Sequence, residues 1–153
     1  NCLHIFSAVL MSIYKLYQPP HYITNFRNTK KQPTSRRTVF LNLEKCLSLN
    51  DLIHGHLVYG HVDCVATVLS VDKDAQSSTL NFKIPQKFTK YMVYKGSVSV
   101  NGVSLTVVSV NNNSFSVSLI PFTLKYTNLG SLRVSDLVNI EVDMIAKYVE
   151  KFV

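Results

Sequence analysis

The sequence predicts an all-β protein, an antiparallel barrel or sandwich, preceded by about 40 residues of a different character. From residue 41 onward, short valine-rich runs of alternating apolar and polar residues recur with turn signals between them. The clearest turn signal is Asn101-Gly102, which joins two alternating runs and suits a type I′ hairpin. At 153 residues the chain is long enough to bury the core of one domain.

Each predicted strand has a period of two residues, and together they cover residues 57–71, 78–84, 97–100, 103–110, 114–120 and 137–143. Helical turns are predicted at 86–96, where Gly96 would be the C-cap, and at 121–130. Residues 144–153 predict a short amphipathic helix or a tail. The whole pattern is that of a small β domain with few helices.

Residues 1–40 contain a Pro-Pro pair, a Thr/Asn/Lys run and no acidic residue, and they carry +6 of the net charge of +7. A basic arm can bind nucleic acid or an acidic membrane surface, but no aromatic and basic residues interleave as in a nucleic-acid-binding surface. We therefore predict a solvated extension, with no nucleic-acid and no membrane partner. The apolar stretch at 2–17 is interrupted by polar residues and lacks the features of a signal peptide.

The three cysteines, Cys2, Cys46 and Cys64, form no CxxC pair and are odd in number. This pattern argues against a disulfide framework and is typical of a reducing compartment. The sequence therefore predicts a cytoplasmic protein.

Three histidines occur within the segment "HGHLVYGHVDC", residues 54–64. In an extended chain His54 and His56 would face opposite to His61, so three ligands would not converge on one ion. We predict no metal site here, and the start of a strand that carries polar residues.

Residues 41–153 resemble riboflavin synthase, in its C-terminal barrel and the linker before it. The pieces that carry the resemblance are "NLEKCLSLNDLIHGHLVYGHVD", "KYMVYKGSVSVNGVSLTVVSV", "SVSLIPFTL", "TNLG" and "VNIEVDMIAKYVEK". The resemblance implies a six-stranded antiparallel Greek-key barrel with short helices, and a trimer of chains with two barrels each. It also implies an enzyme without metal or external cofactor. Such an enzyme moves a four-carbon unit between two molecules of 6,7-dimethyl-8-ribityllumazine, giving riboflavin and 5-amino-6-(ribitylamino)pyrimidinedione.

The resemblance also implies a site. His61 and Ser104 are the candidate catalytic residues, since a histidine titrates near neutral pH and a hydroxyl stabilises charge. The candidate substrate-binding residues are Gly60, His61, Val62, Lys95, Ser104, Leu105, Thr106, Ser118, Leu119, Ile120, Pro121, Phe122 and Thr123. Each also has an ordinary structural interpretation: Ser104 and Thr106 as the solvent face of a strand, Lys95 as a surface lysine and His61 as a hydrogen-bonded structural histidine.

Several positions depart from the family pattern. Tyr59 stands where the family usually has serine, His54 where it has glycine, and Asn101 where many members have aspartate. The "MFTGIV"-like start and the "CLTV" segment of the N-terminal barrel are absent. "LNLE" at 41–44 echoes "VNIE" at 138–141, which predicts that 41–44 is the closing strand of a preceding copy.

We therefore predict a basic extension at 1–40 that is unrelated to the family and is either disordered or mis-framed. Residues 41–56 would be the linker and the end of a missing first barrel, and 57–153 the lumazine-binding barrel. The leading hypothesis is a truncated or mis-framed riboflavin synthase. The alternatives are a non-catalytic lumazine- or flavin-binding protein and, more weakly, a tether that uses its basic arm.

Overall fold

The computed structural model describes residues 41, 42, 44, 47 and 50–153. The predicted basic extension, with Cys2 and the apolar stretch at 2–17, lies outside the described residues, as does Cys46. The proposed domain division at residues 40 and 56 therefore remains a prediction. In the described part of the chain, no helix is both long and apolar enough to cross a membrane.

Six antiparallel strands close into one barrel, as the resemblance implies. They are β1 Cys64–Lys73, β2 Ser78–Lys83, β3 Ser97–Val100, β4 Val103–Asn111, β5 Ser114–Leu119 and β6 Leu137–Val142. Their order around the barrel is β1-β2-β5-β4-β3-β6, and β6 pairs with β1 to close it. The hairpin-connected strands β3, β4 and β5, with β6 returning beside β3, form a Greek key. The predicted fold class is confirmed.

The first strand begins later than its alternating pattern suggests. The prediction started it at residue 57, but strand pairing starts at Cys64, opposite Ile140. Two local features explain the difference. Gly60 turns the backbone with a φ of 75°, and the Tyr59 N–H donates to the side chain of Glu141 rather than to the backbone of a neighbouring strand. Residues 57–63 therefore lie outside the sheet, although their polar and apolar residues alternate as in a strand.

In the described part of the chain, three short helical segments lie between strands and a fourth follows β6. They are a 3₁₀ turn at Gln86–Tyr91, α1 at Pro121–Tyr126, a 3₁₀ turn at Asn128–Ser131 and α2 at Met144–Phe152. The prediction that Gly96 caps the first of them is wrong. That turn ends at Met92, whose side chain is buried, and Gly96 closes a separate tight turn by donating its N–H to the Val93 carbonyl over 2.8 Å.

The β3–β4 hairpin has the predicted turn. Asn101 and Gly102 have φ angles of 48° and 81°, as a type I′ turn requires. The Asn101 Oδ1 also accepts from the Asn139 N–H at 2.8 Å, and the Asn101 N–H donates to the Asn139 carbonyl at 2.9 Å. Asn101 thus ties the hairpin to β6, a role that an aspartate oxygen would fill equally well.

The interior of the barrel is filled with apolar side chains. The rings of Phe82 and Phe115 stack at its centre with centroids 5.3 Å apart, and both side chains are almost wholly buried. The remaining large, fully buried side chains are Leu80, Leu119, Leu129, Ile140, Val68, Val98, Val100, Val107, Val117 and Val138. Any ligand must therefore bind on the outside of the barrel, on side chains that point away from this core.

Candidate ligand-binding site

The segment before β1, residues 54–60, is called the strap because it lies against the outer face of the barrel. Beneath it, Ser104 of β4 is opposite Ser99 of β3, and Ser99 is opposite Glu141 of β6. These three polar residues form an outer row that crosses three adjacent strands. Ser99 and Glu141 are buried although they point away from the core, because the strap covers them.

One end of the strap is fixed on Ser104. The His56 Nδ1 and the Ser104 Oγ are 2.7 Å apart, a hydrogen bond in which either atom can be the donor. Gly55 precedes it with a φ of 82°, and a Cβ at that position would lie 2.4 Å from the Ser104 Oγ. Only glycine satisfies both the backbone angle and this close approach.

His56 is held in its neutral form. Burial lowers the pKa of its imidazole below the ordinary value because the charged ring would lose hydration, and the nearby carboxylates of Asp143 and Glu141 offset part of this effect. In the described part of the chain its Nε2 is buried without a hydrogen-bond partner. A cavity of about 30 Å³, lined by His54, His56, Gly102 and Ser104 among others, is large enough for one water molecule.

The other end of the strap is fixed on Glu141. Its Oε1 accepts the Tyr59 N–H at 2.6 Å. Gly60 follows with a positive φ, and the ring of His61 lies nearly parallel to that of Tyr59, with centroids 6.1 Å apart and an interplanar angle of 24°. His61 is exposed to solvent and Val62 is half-buried. The predicted residues Gly60, His61 and Val62 therefore lie where the strap leads into β1.

The predicted residues of β4 and β5 divide between the two faces of the sheet. Thr106 and Ser118 are exposed and point outward, as Ser104 does, whereas Leu105 and Leu119 are buried in the core. The two leucines therefore offer a ligand only their backbone groups. Thr106 is opposite Ser97 of β3, so it lies on the same outer surface as the row beneath the strap.

The remaining predicted residues lie at the rim of this surface. Lys95 is exposed with a φ of 62°, and its N–H donates to the Val107 carbonyl of β4 at 2.9 Å. Ile120, Pro121 and Phe122 are exposed where β5 passes into α1, and half-buried Thr123 accepts the Thr127 N–H at its carbonyl. None of the hydrogen bonds between described residues joins these groups to His61 directly.

The histidines fall into the two groups that the extended-chain prediction gave, although residues 54–61 are not in a strand. His54 and His56 line the same small cavity, and His61 pairs with Tyr59. Among residues 50–153 and the four described before them, no three His, Cys, Asp or Glu side chains converge on a possible ion. Cys64 is buried, and burial together with Asp63 raises the pKa of its thiol to about 12, so it is a core residue rather than a nucleophile.

Sequence reasoning assigned no site role to His56, Gly55 or Glu141. The signal was present in the unusual Gly-His dipeptide that precedes a strand, but it has meaning only once β4 is known to lie beneath it. The His56–Ser104 contact joins residues 48 positions apart, and the Tyr59–Glu141 contact joins residues 82 positions apart. The periodicity of the sequence cannot predict contacts between residues so far apart.

A second contact fixes the chain upstream of the strap. The Asn42 side chain donates to the Asn101 carbonyl and to the Asn128 Oδ1, both at 2.9 Å, and accepts the Asn128 N–H at 2.7 Å. Asn42 is the asparagine of "LNLE". Leu41, Asn42 and Glu44 belong to no strand here, so their role as the closing strand of another barrel stays a prediction.

Comparison with known proteins agrees with this geometry. The family model of the lumazine binding domain matches residues 59–143. The riboflavin synthase of Actinobacillus pleuropneumoniae is 39% identical over 112 residues, which cover 73% of this chain and 52% of that protein. The riboflavin synthase of Schizosaccharomyces pombe is 39% identical over 114 residues, 74% of this chain and 55% of that protein. The chain thus spans about half the length of the curated relatives it matches.

Solved structures share the fold. LumP complexed with riboflavin superposes with a TM-score of 0.61 at 24% identity, covering 66% of this chain and 55% of that one. LumP complexed with 6,7-dimethyl-8-(1'-D-ribityl) lumazine gives a TM-score of 0.58 at the same identity, covering 66% and 54%. At this identity the likeness concerns the barrel alone.

Proposed function

Because the chain belongs to the lumazine-binding domain family, we propose that it binds 6,7-dimethyl-8-ribityllumazine on the outer face of its barrel and supplies one half of a riboflavin synthase site. The observation that carries this proposal is the direction of the side chains. The interior is filled, while Ser104, Thr106 and Ser118 point outward from adjacent strands.

The reaction mainly requires positioning and polar stabilisation of two identical heterocycles. Thr106 and Ser118 offer hydroxyls to the edge of the ring system, and Lys95 at the rim offers a cation. The ribityl chain also needs hydrogen-bond partners, which the backbone groups of 118–123 supply. Only one such surface belongs to this barrel, so the second lumazine requires another barrel.

Ser104 and His61 have different roles in the proposed reaction. The His56 Nδ1 and the Ser104 Oγ are 2.7 Å apart, so a neutral His56 that donates its Nδ1–H to Oγ leaves the serine hydroxyl hydrogen to stabilise negative charge that develops on the heterocycle. The exposed imidazole of His61 is free to exchange a proton with the ring methyl whose acidity starts the reaction. In this mechanism His56 acts on Ser104 and does not touch the substrate.

The test is incubation of the purified 153-residue chain with 6,7-dimethyl-8-ribityllumazine, with binding followed by fluorescence and riboflavin by absorbance. We expect Thr106→Val to weaken binding about tenfold, the cost of one lost hydrogen bond. Thr67→Val is the matched control, because Thr67 is on β1, which does not adjoin β4. Failure of the wild-type chain to bind lumazine would refute the proposal.

Turnover separates the two candidate activities. Riboflavin formation that is lost in Ser104→Ala and His61→Ala would mean that copies of this barrel assemble a working site. Binding without riboflavin would favour the alternative, a protein that captures lumazine or flavin without catalysis.

We further infer that copies of the chain associate through α2, in line with the trimer that the resemblance implies. Ile145, Tyr148, Val149 and Phe152 form an exposed apolar stripe at helical spacing. The polar side of the helix is the one held on the barrel, by Lys147 on Asp63 and Glu150 on Lys90. An amphipathic helix with its apolar side in water needs an apolar partner, and the same stripe on other copies supplies it.

Sedimentation equilibrium tests this assembly. We expect the wild-type chain to form trimers and the pair Tyr148→Ser with Phe152→Ser to be monomeric. The control Val134→Ser removes an apolar side chain of 59% exposure outside α2 and should leave the trimer intact. A monomeric wild-type chain would contradict the inference.

A further inference from the structure

Tyr59 and His61 form a pair of rings on the outer surface of the barrel. Their centroids are 6.1 Å apart and their planes differ by 24°, within the range of offset-stacked aromatic pairs. Tyr59 is half-buried, and His61 projects beyond it into solvent. Such a pair restricts the orientation of the outer ring while leaving its polar edge free.

The backbone of the inner residue of this pair, Tyr59, is fixed on the barrel. The Tyr59 N–H donates to the Glu141 carboxylate over 2.6 Å, and Glu141 is 6% exposed on β6, in the wall of the barrel. Gly60, with its φ of 75°, sets the direction of the chain between the two rings. The backbone of Tyr59 is therefore held by the barrel rather than carried on a free loop.

The pair lies close to the other candidate residues. Glu141 and Ser104 are two strand spacings apart across the outer row, about 10 Å. That distance is comparable to the length of a fused two-ring heterocycle with its substituents. The strap itself spans this row, so a ligand that contacts exposed Thr106 would lie beside the strap, on the same outer surface as the exposed ring of His61.

We propose that Tyr59 is a positioning residue for His61, holding its imidazole at the angle from which it meets a planar heterocycle bound over β3 and β4. Position 59 is one of those at which the sequence is expected to depart from the family pattern. The ligand part of the proposal rests on the proposed function, whereas the positioning of the imidazole does not.

A set of three variants tests it. Tyr59→Phe keeps the ring, Tyr59→Leu keeps apolar bulk without a ring, and Tyr59→Ser removes both. In the ligand-free chain, we expect the imidazole ¹H signals of His61 to keep their ring-current shift in Tyr59→Phe and to lose it in the leucine and serine variants. His61→Gln identifies the signals.

The binding measurement uses 6,7-dimethyl-8-ribityllumazine and the same variants. We expect wild-type affinity in Tyr59→Phe and affinity about tenfold weaker in both Tyr59→Leu and Tyr59→Ser, an energy near that of one aromatic pair. The effect should disappear when His61 is already glutamine, because no imidazole remains to be positioned.

The outcomes are distinct. If the His61 signals are the same in Tyr59→Ser as in the wild type, or if Tyr59→Leu binds lumazine as tightly as Tyr59→Phe, the positioning role is wrong. If the wild-type chain binds no lumazine while the His61 signals respond as expected, the proposed function fails and the positioning of His61 stands.

Discussion

Two histidines of one segment meet opposite environments. His56 is turned toward the barrel, bonded to Ser104 and kept neutral by burial, and His61 is exposed beside Tyr59. The sequence identified the segment and, through the resemblance, His61. It did not identify His56, because a buried and an exposed imidazole differ in their tertiary neighbours and not in the local pattern.

The neutral form of His56 makes stability depend on pH. Because its folded-state pKa lies below the ordinary 6.5, the unfolded chain takes up a proton first as the pH falls. This contribution to the free energy of unfolding is therefore complete above pH 6.5 and is lost as the pH drops below that value.

We expect urea titrations to show this loss as the pH falls below 6.5, and a smaller loss in His56→Gln. His61→Gln is the matched control for removal of an exposed imidazole. Equal pH dependence in the wild type and in His56→Gln would contradict the assignment.

Gly55 is the residue that lets the strap approach Ser104. We expect Gly55→Ala to destabilise the chain by about 1–2 kcal/mol through its left-handed backbone, with an additional cost from the clash with the Ser104 Oγ. Urea unfolding of Gly55→Ala, Ser104→Gly and the double variant separates the two costs. Only the steric part depends on the serine, so additive effects would exclude the clash.

At the scale of elements, α2 is attached to the barrel by its polar side. The Asp63 carboxylate accepts the Val142 N–H at 2.9 Å and pairs with the Lys147 Nζ at 2.6 Å, so one side chain joins the end of β6 to the helix. Asp143 caps the helix by accepting the Ile145 N–H. The amphipathic pattern predicted this helix correctly but could not tell which side faces the barrel.

We expect Lys147→Met to lower the free energy of unfolding by about 1 kcal/mol, since the ion pair is only partly exposed. Lys151→Met removes the same charge one turn further along the helix and serves as the control. Urea unfolding followed by circular dichroism measures both. Equal losses in the two variants would indicate a general effect of charge rather than the Asp63 contact.

The strands were predictable because their pattern is imposed by the core. Val98 and Val100 alternate with serines since one face of β3 packs in the barrel, and the Asn-Gly turn is required by its backbone angles. The start of β1 was not predictable. Residues 57–63 alternate like a strand, but the backbone N–H of Tyr59 bonds to a side chain of β6. This contact depends on the tertiary structure and not on the local pattern.

At the scale of the whole molecule, one closed sheet encloses one core. The strand order β1-β2-β5-β4-β3-β6 places β2 beside β5 and β6 beside both β1 and β3, and no local pattern encodes such pairings. The resemblance supplied the topology that periodicity left open between barrel and sandwich. Because every strand has two neighbours, we expect the barrel to unfold as one cooperative unit.

Two phenylalanines test this view of the core. We expect Phe115→Ala to lower the free energy of unfolding by about 3–5 kcal/mol, because the ring is buried against Phe82 and its removal leaves a cavity. Phe122→Ala removes the same ring from a site of 68% exposure and should change stability by less than about 1 kcal/mol. Near- and far-ultraviolet dichroism should report a single transition for each, and a large loss in Phe122→Ala would contradict the description of the core.

The contact made by Asn42 bears on how the protein can be divided for study. A fragment cut at residues 59 and 143 would retain every strand of the barrel. It would lose Asn42, Gly55 and His56 on one side and Lys147 on the other, so Ser99, Ser104 and Asp63 would be left facing water without their covering groups. Fragments for crystallisation or ligand screening should therefore begin before residue 41 and include α2, because the match to the family model is shorter than the part of the chain that these contacts hold together.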